Sequence, residues 1–235
     1  MITRTAEASP LFYTRLAGLL YLLVVPLGIF SLYVSSGLLV SGDPAATANN
    51  IMASESVFRL SIVSELLATV VMLFVVLTLY RLLKPVHKGM ALIMVILVMV
   101  AVPIAMLTVL NEFAVLQLLS GAEYLSVFTT QQLQALALLF LRLHSQGGSI
   151  AFIFWGLWLF PLGYLVFRSG FLPRILGVLL MIACFGYVID SFATFLGYTV
   201  NVGMFAALGE VLFILWLLIK GVNVEQWEKR ALESA

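Results

Sequence analysis

The chain has 235 residues, of which 63% are hydrophobic and 10% are charged, and its mean hydropathy is +1.15. This composition lies outside the range of soluble domains and predicts an integral membrane protein whose surroundings are the lipid bilayer. The net charge of +1 includes only 12 dispersed Lys and Arg residues, which excludes the dense basic face that nucleic-acid binding requires.

Six apolar segments are long enough to cross a bilayer, whose hydrocarbon core needs about 20 helical residues. We predict one all-α transmembrane domain over residues 1–235, a polytopic protein with spans at about 11–40, 57–83, 89–119, 130–167, 173–196 and 201–220. The first apolar run is longer than the core of a secretory signal peptide, so we expect it to remain as a span.

Local signals indicate where several helices begin. Ser9-Pro10 has the residue types preferred at the cap and the first position of a helix. Asp43-Pro44 opens a short segment, AATANNIMAS, that we expect to form one or two helical turns at the surface. Thr129 and Gln132 have the spacing of a capping box, which predicts the start of the fourth span.

The third and fourth spans are too long for the hydrocarbon core alone. A helix from Thr130 to Phe167 would be about 57 Å long, and a helix from Gly89 to Leu119 would be about 46 Å long. The hydrocarbon core is about 30 Å thick. We therefore predict that both helices project beyond one membrane face as a hairpin, joined by the polar segment 120–129.

The basic residues are divided unequally between the two sides that six spans define. One side would carry only Arg59 and Arg142. The side with both termini would carry the other ten, which are Arg4, Arg15, Arg81, Lys84, Lys88, Arg168, Arg174, Lys220, Lys229 and Arg230. Basic loops remain in the cytoplasm, so we predict that both termini are cytoplasmic and that the hairpin faces outward.

Ionisable groups inside spans are costly, so each one is a candidate for function. Counted from the predicted cytoplasmic ends, Glu210 lies about 15 Å deep, Asp190 about 24 Å, Glu65 about 27 Å, and both Glu112 and His144 about 35 Å. These groups converge on the outer half of the membrane. Their positions predict an outward-opening polar pocket for a small molecule or a lipid.

His144 lies in line with Trp155 and Trp158 on a helical wheel, opposite the polar side of its helix. We therefore predict that the imidazole faces the packed side of the helix and that Trp155 belongs to the same pocket. The following pair, Gly147-Gly148, would allow another helix or a ligand to come close to this face.

Arg59 has two alternative roles. Glu55 precedes it by four residues, which is the spacing of an exposed ion pair on a helix. Alternatively, the Arg59 side chain turns into the pocket and supplies a countercharge to Glu65 or Asp190.

The chemistry of the pocket stays open at this point. His144 could bind a metal ion together with Glu65 and Asp190, since imidazole and carboxylates are common zinc ligands, and Glu112 or Glu210 could also contribute. Glu210 should be neutral or paired near the midplane, which would suit proton coupling. The alternatives are a membrane enzyme at the outer leaflet, a small proton-coupled transporter and a non-catalytic partner subunit. No cofactor motif is present, and the oligomeric state is left open.

Four phrases of the sequence carry a resemblance to a known family. They are VFRLSIVSE from Val57, QLQALALLFLRLH from Gln132, FRSGFLPRILG from Phe167 and GYVIDSF from Gly186. In this order they resemble the bacterial membrane proteins grouped as domain of unknown function 4386 (DUF4386), over roughly residues 12–219. The resemblance implies a multi-helix protein of the bacterial cytoplasmic (inner) membrane and brings no established activity or cofactor with it.

Overall fold

The computed structural model describes residues 9–198, 200 and 202–233, so Arg4 and Asn201 of the predictions above lie outside the described part. The described residues form no strand, which confirms the all-α prediction. Their helices are α1 (Pro10–Leu38), α2 (Pro44–Ala53), α3 (Glu55–Leu83), α4 (Lys88–Leu118), α5 (Thr130–Leu157), α6 (Leu159–Ser169), α7 (Arg174–Phe195), α8 (Val202–Ile219) and α9 (Val224–Glu233), with a 3₁₀ turn at Glu123–Leu125.

Side-chain caps explain two of the helix starts. The Asp43 carboxylate accepts a hydrogen bond from the Ala46 N–H at 2.9 Å and so caps the N-terminus of α2. This helix is ten residues long, which is more than the one or two turns predicted. The Thr129 N–H donates to the Gln132 side-chain oxygen at 2.8 Å, and the Gln132 N–H donates to the Thr129 hydroxyl at 3.3 Å. This reciprocal pair confirms the predicted capping box.

Five helical segments are long and apolar enough to cross a bilayer: α1, α3, α4, α7 and the segment Thr130–Ser169. The segment Ala207–Ile219 together with α9, bent by 100°, brings the number to six. The segment Thr130–Ser169 has 40 residues, which correspond to about 60 Å of helix. It is continuous where α5 meets α6, because the Trp158 N–H donates a hydrogen bond to the Phe154 carbonyl there. The chain is therefore a polytopic membrane protein with five to six spans.

Large apolar side chains lie on the outer faces of these helices. Leu32, Leu107, Ile175 and Leu208 are 71%, 64%, 62% and 63% exposed. A soluble bundle would present polar residues at such positions, because apolar surface in water is unfavourable. A lipid bilayer is the environment that these faces require.

The described chain packs as two compact units. The first lies within Met1–Leu22, Val71–Ala101 and Phe152–Ala235. In this unit α7 packs along α6 and α8. Gly163 and Gly177 allow the close approach of α6 and α7, since a Cβ atom at Gly163 would lie 2.6 Å from the Gly177 carbonyl oxygen.

The amphipathic helix α9 is attached to the first unit through Trp227. Its indole N–H donates to the Leu82 carbonyl oxygen at the end of α3, over 2.8 Å. This contact holds the Trp227 side chain at the end of α3.

The second unit comprises Leu23–Val70 and Val102–Ala151. Its core is built from α2, α3, α4 and α5, through Ile51, Phe58, Ile62, Val109, Val115, Leu116, Ala137 and Leu141. The burial of these apolar side chains holds α3, α4 and α5 side by side and so determines which of their polar groups meet. The predicted single domain stays a prediction.

Candidate metal centre

Three ionisable side chains from three helices meet inside the second unit. Glu65 comes from α3, Glu112 from α4 and His144 from α5, and one ligand atom of each lies within 4.8 Å of the others. The Nε2 atom of His144 is 3.6 Å from Glu65 Oε2 and 3.9 Å from Glu112 Oε1. We refer to these three residues as the Glu65–Glu112–His144 cluster.

The separations within the cluster are too long for direct hydrogen bonds, which have donor–acceptor distances of about 2.7–3.2 Å. They are close to the spacing of two ligands on one ion. Bonds of about 2.0–2.2 Å to a tetrahedral zinc ion place two ligand atoms roughly 3.3–3.6 Å apart. The cluster is therefore arranged to hold a bridging atom between the imidazole and the carboxylates.

The orientation of the imidazole is set by its second nitrogen. His144 Nδ1 lies 3.2 Å from the carbonyl oxygen of Thr108. A carbonyl oxygen only accepts hydrogen bonds, so we assign the proton to Nδ1 in the neutral ring. This tautomer leaves the lone pair of Nε2 directed at Glu65 and Glu112. Metal-binding histidines frequently donate their other ring N–H to a backbone carbonyl, which fixes the orientation of the ring.

Two serines of α1 orient the carboxylates. The Ser31 hydroxyl donates to Glu65 Oε2 at 3.0 Å, and the Ser35 hydroxyl donates to Glu112 Oε1 at 3.1 Å. Neither serine is among the residues predicted from the sequence. Their spacing of four residues, which places both on one face of an otherwise apolar helix, is the signal that could have identified them.

Glu112 is the most buried member of the cluster. Its side chain is 0% exposed, whereas those of Glu65 and His144 are 24% and 17% exposed. Within the described part of the chain, Glu112 Oε2 has no hydrogen-bond partner. A buried polar atom without a partner is rare and unfavourable, so this oxygen is the atom that most requires a bound group.

Gly147 brings α5 close to α4 at the level of the imidazole. A Cβ atom at this position would collide with the Cγ2 atom of Thr108. Because Gly147 follows His144 by three residues on the same helix, the close approach lets His144 reach the Thr108 carbonyl. Gly148 faces open space, since nothing would lie within 4 Å of an added Cβ atom.

Asp190 and Glu210 belong to the first unit and have other partners there. The Asp190 carboxylate accepts hydrogen bonds from the backbone N–H groups of Val202 and Gly203, at 2.9 Å and 2.8 Å. It therefore caps the N-terminus of α8. The Tyr21 hydroxyl donates to the Glu210 carboxyl group. The expectation that Asp190 shares a site with Glu65 and His144 stays a prediction.

Arg59 and Trp155 are not members of the cluster. The Arg59 side chain forms an ion pair with Glu55 at 2.7 Å, and both side chains are more than half exposed. This geometry matches the exposed-pair alternative for Arg59, and such pairs contribute little to stability. Trp155 is half-buried and belongs to the first unit.

Two shallow depressions on the described surface lie away from the cluster residues. One is mostly apolar and is lined by Phe128, Gln132, Ala135, Leu136 and Leu139. The other is lined by Ser169, Gly170, Gln226, Lys229, Arg230 and Glu233. Neither contains any of the residues selected for the predicted polar pocket, which stays a prediction.

Comparisons with known proteins identify relatives of unknown activity. A model of the family described as "Domain of unknown function (DUF4386)" matches residues 16–221. An uncharacterised protein from Archaeoglobus fulgidus is 48% identical over 77 residues, which cover 33% of this chain and 48% of that protein. The match thus spans about half the length of this curated relative. No solved structure matches. The archaeal relative extends the likeness beyond the bacterial proteins of the sequence analysis.

Proposed function

Since the chain belongs to the DUF4386 family, whose description assigns no activity, we propose a function from its own geometry. The protein binds one divalent metal ion inside its helical bundle, through Glu65, Glu112 and His144. The buried Glu112 Oε2 atom, which has no hydrogen-bond partner in the described part of the chain, is the observation that carries the proposal.

The charge of the cluster supports a divalent cation. Glu65 and Glu112 contribute two negative charges, and no Lys or Arg of the described chain lies within ion-pair distance of either carboxylate. Two unpaired carboxylates in an apolar interior are highly unfavourable. A divalent ion would neutralise both and would occupy the space that His144 Nε2 faces.

The types of ligand indicate which ions are suitable. One imidazole nitrogen and two carboxylate oxygens suit Zn²⁺, and the same set also accepts Mn²⁺ or Fe²⁺. Ca²⁺ and Mg²⁺ prefer oxygen ligands alone, so the imidazole argues against them. We therefore propose Zn²⁺ as the ion to test first.

Three protein ligands leave at least one coordination position for water or another small ligand. Sites of this kind are typical of catalytic rather than structural zinc. The small molecule or lipid predicted from the sequence would be able to bind at this position through an oxygen atom. This open position favours a metal-dependent membrane enzyme as the second candidate function, in which the ion would supply Lewis-acid chemistry at that position.

The zinc content of the purified protein tests the proposal. We expect the full chain in detergent to bind about one Zn²⁺ per chain, and His144→Ala to lower the affinity at least about 100-fold, because even second-shell partners contribute about 10–100-fold. The matched control is His87→Ala, which removes a histidine that accepts the Met90 N–H at the start of α4. Equal loss of zinc in both variants, or equal retention, would contradict the proposal.

We also propose the topology predicted from the basic residues, with both termini in the cytoplasm and Ser120–Thr129 outside. A thiol reagent that does not cross the membrane should label Ser126→Cys and spare Lys88→Cys in intact cells, because both positions are exposed but lie at opposite ends of their spans. The native Cys184 is buried and should give little background. Labelling of Lys88→Cys without labelling of Ser126→Cys would show that the protein has the opposite orientation to the one proposed.

A further inference from the structure

The first unit contains a second group of ionisable side chains, which the metal centre does not use. Glu210 is the only charged residue of α8, and its carboxyl group accepts a hydrogen bond from the Tyr21 hydroxyl of α1. Tyr187 of α7 approaches the same carboxyl group with its own hydroxyl. Three helices thus place two phenols on one carboxyl group inside a membrane-spanning part of the chain.

The neighbours of Glu210 are neutral or acidic. No Lys, Arg or His of the described chain forms an ion pair with it. From α1 it faces Tyr21, whose ring packs against Trp158 with 5.8 Å between the ring centroids. From α7 it faces Tyr187, and Asp190 is the next acidic group beside that tyrosine. A fixed cation therefore does not compensate the charge of this carboxyl group.

A phenol can serve a carboxyl group in both of its protonation states. Its O–H donates to a carboxylate, and its oxygen can accept a hydrogen bond from a protonated carboxylic acid. Tyr21 can therefore maintain its hydrogen bond to Glu210 with and without the proton, and the neighbouring Tyr187 hydroxyl can serve in the same way. An arginine or lysine in their place would suit the carboxylate alone.

We propose that Glu210 is a proton-binding site within the membrane. The carboxylate takes up one proton from water and releases it again, while the Tyr21 hydroxyl stays hydrogen-bonded to it in both states and Tyr187 lies beside it. Asp190 follows Tyr187 by three residues, near the C-terminal end of α7, and caps the N-terminus of α8. It is therefore the next ionisable group between Glu210 and these two helix ends. The site would couple a proton to whatever transport or conformational step the protein performs.

Dicyclohexylcarbodiimide, an apolar reagent that modifies protonated carboxyl groups, tests this proposal in the purified full chain. The experiment uses the Glu112→Gln background, so that its outcome is independent of metal binding. Mass spectrometry should find the adduct on Glu210, with a yield that falls as the pH rises, and no adduct at this position in Glu210→Gln. Tyr21→Phe and Tyr187→Phe each remove one hydroxyl, which binds the carboxylate more strongly than the neutral acid, so each should raise the midpoint of the pH profile by about one unit.

The pH profile separates proton binding from a purely structural role. Tyr21→Phe keeps the ring against Trp158, so the protein should remain folded in size-exclusion chromatography while the midpoint changes. An absent Glu210 adduct across the whole pH range would overturn the proposal, and so would a profile that both tyrosine variants leave unchanged.

Discussion

Glu112→Gln is expected to lower the affinity for Zn²⁺ by about 1,000-fold, or about 4 kcal/mol, while the protein stays folded. The substitution keeps the shape of the side chain and removes the negative charge that would bind the ion. The metal-free variant should be as stable as the metal-free parent, or more stable by up to about 2 kcal/mol, since the buried unpaired oxygen is no longer a carboxylate. Isothermal titration with Zn²⁺ and thermal unfolding in detergent measure the two effects.

The matched control for this prediction is Glu55→Gln, which removes the carboxylate of an exposed ion pair and should leave zinc affinity unchanged. Zinc should raise the unfolding temperature of the parent and of the control, because a ligand that binds only the folded state stabilises it, by about 2.7 kcal/mol at 100 times its dissociation constant. A less stable Glu112→Gln protein with unchanged zinc affinity would show that the Glu112 carboxylate has a structural role instead.

Gly163→Ala is expected to destabilise the first unit by about 3 kcal/mol. The new Cβ atom would lie 2.6 Å from the Gly177 carbonyl oxygen and 2.9 Å from the Met181 backbone nitrogen. Both are backbone atoms, so α6 and α7 would have to move apart rather than adjust a side chain. Thermal unfolding in detergent should therefore occur at a clearly lower temperature than in the parent.

Gly148→Ala is the control for this effect, because nothing lies within 4 Å of its added Cβ atom. Alanine is also favoured over glycine in a helix interior, by about 1 kcal/mol. Gly148→Ala should thus be as stable as the parent or more stable. Equal destabilisation by the two substitutions would mean that helix packing at Gly163 is not the cause.

Much of the helical framework was predictable because its signals are local. The capping pair of Thr129 and Gln132 lies within one helical turn, and the structure confirms it. The lengths of the apolar runs predicted the first five spans to within a few residues, whereas the last segment of the structure counts as a span only together with α9. The main local difference is α2, where the Asp43 cap and the burial of Thr47, Ala48 and Ile51 extend a short turn into a ten-residue helix.

The candidate site was only partly predictable. Hydropathy alone distinguishes Glu65, Glu112 and His144 as ionisable residues in apolar segments, because each is costly in a membrane. Depth and the helical wheel grouped His144 with Glu65 and Asp190, and the shared site with Asp190 stays a prediction. In the structure Glu65 meets Glu112 and His144, and Asp190 caps α8. Depth describes the position of a residue along a helix and contains no information about the direction of its side chain.

The sequence by itself determined the class of protein, the lengths of its helices and the residues inside them that need a partner. These properties depend on composition and on contacts within a few residues. Only the tertiary structure decided that Ser31 and Ser35 orient the carboxylates and that the Thr108 carbonyl orients His144. Such pairings depend on how the helices rotate and how closely they approach. In apolar helices of low amphipathicity, the packing of individual side chains determines that rotation, and the hydrophobic pattern does not.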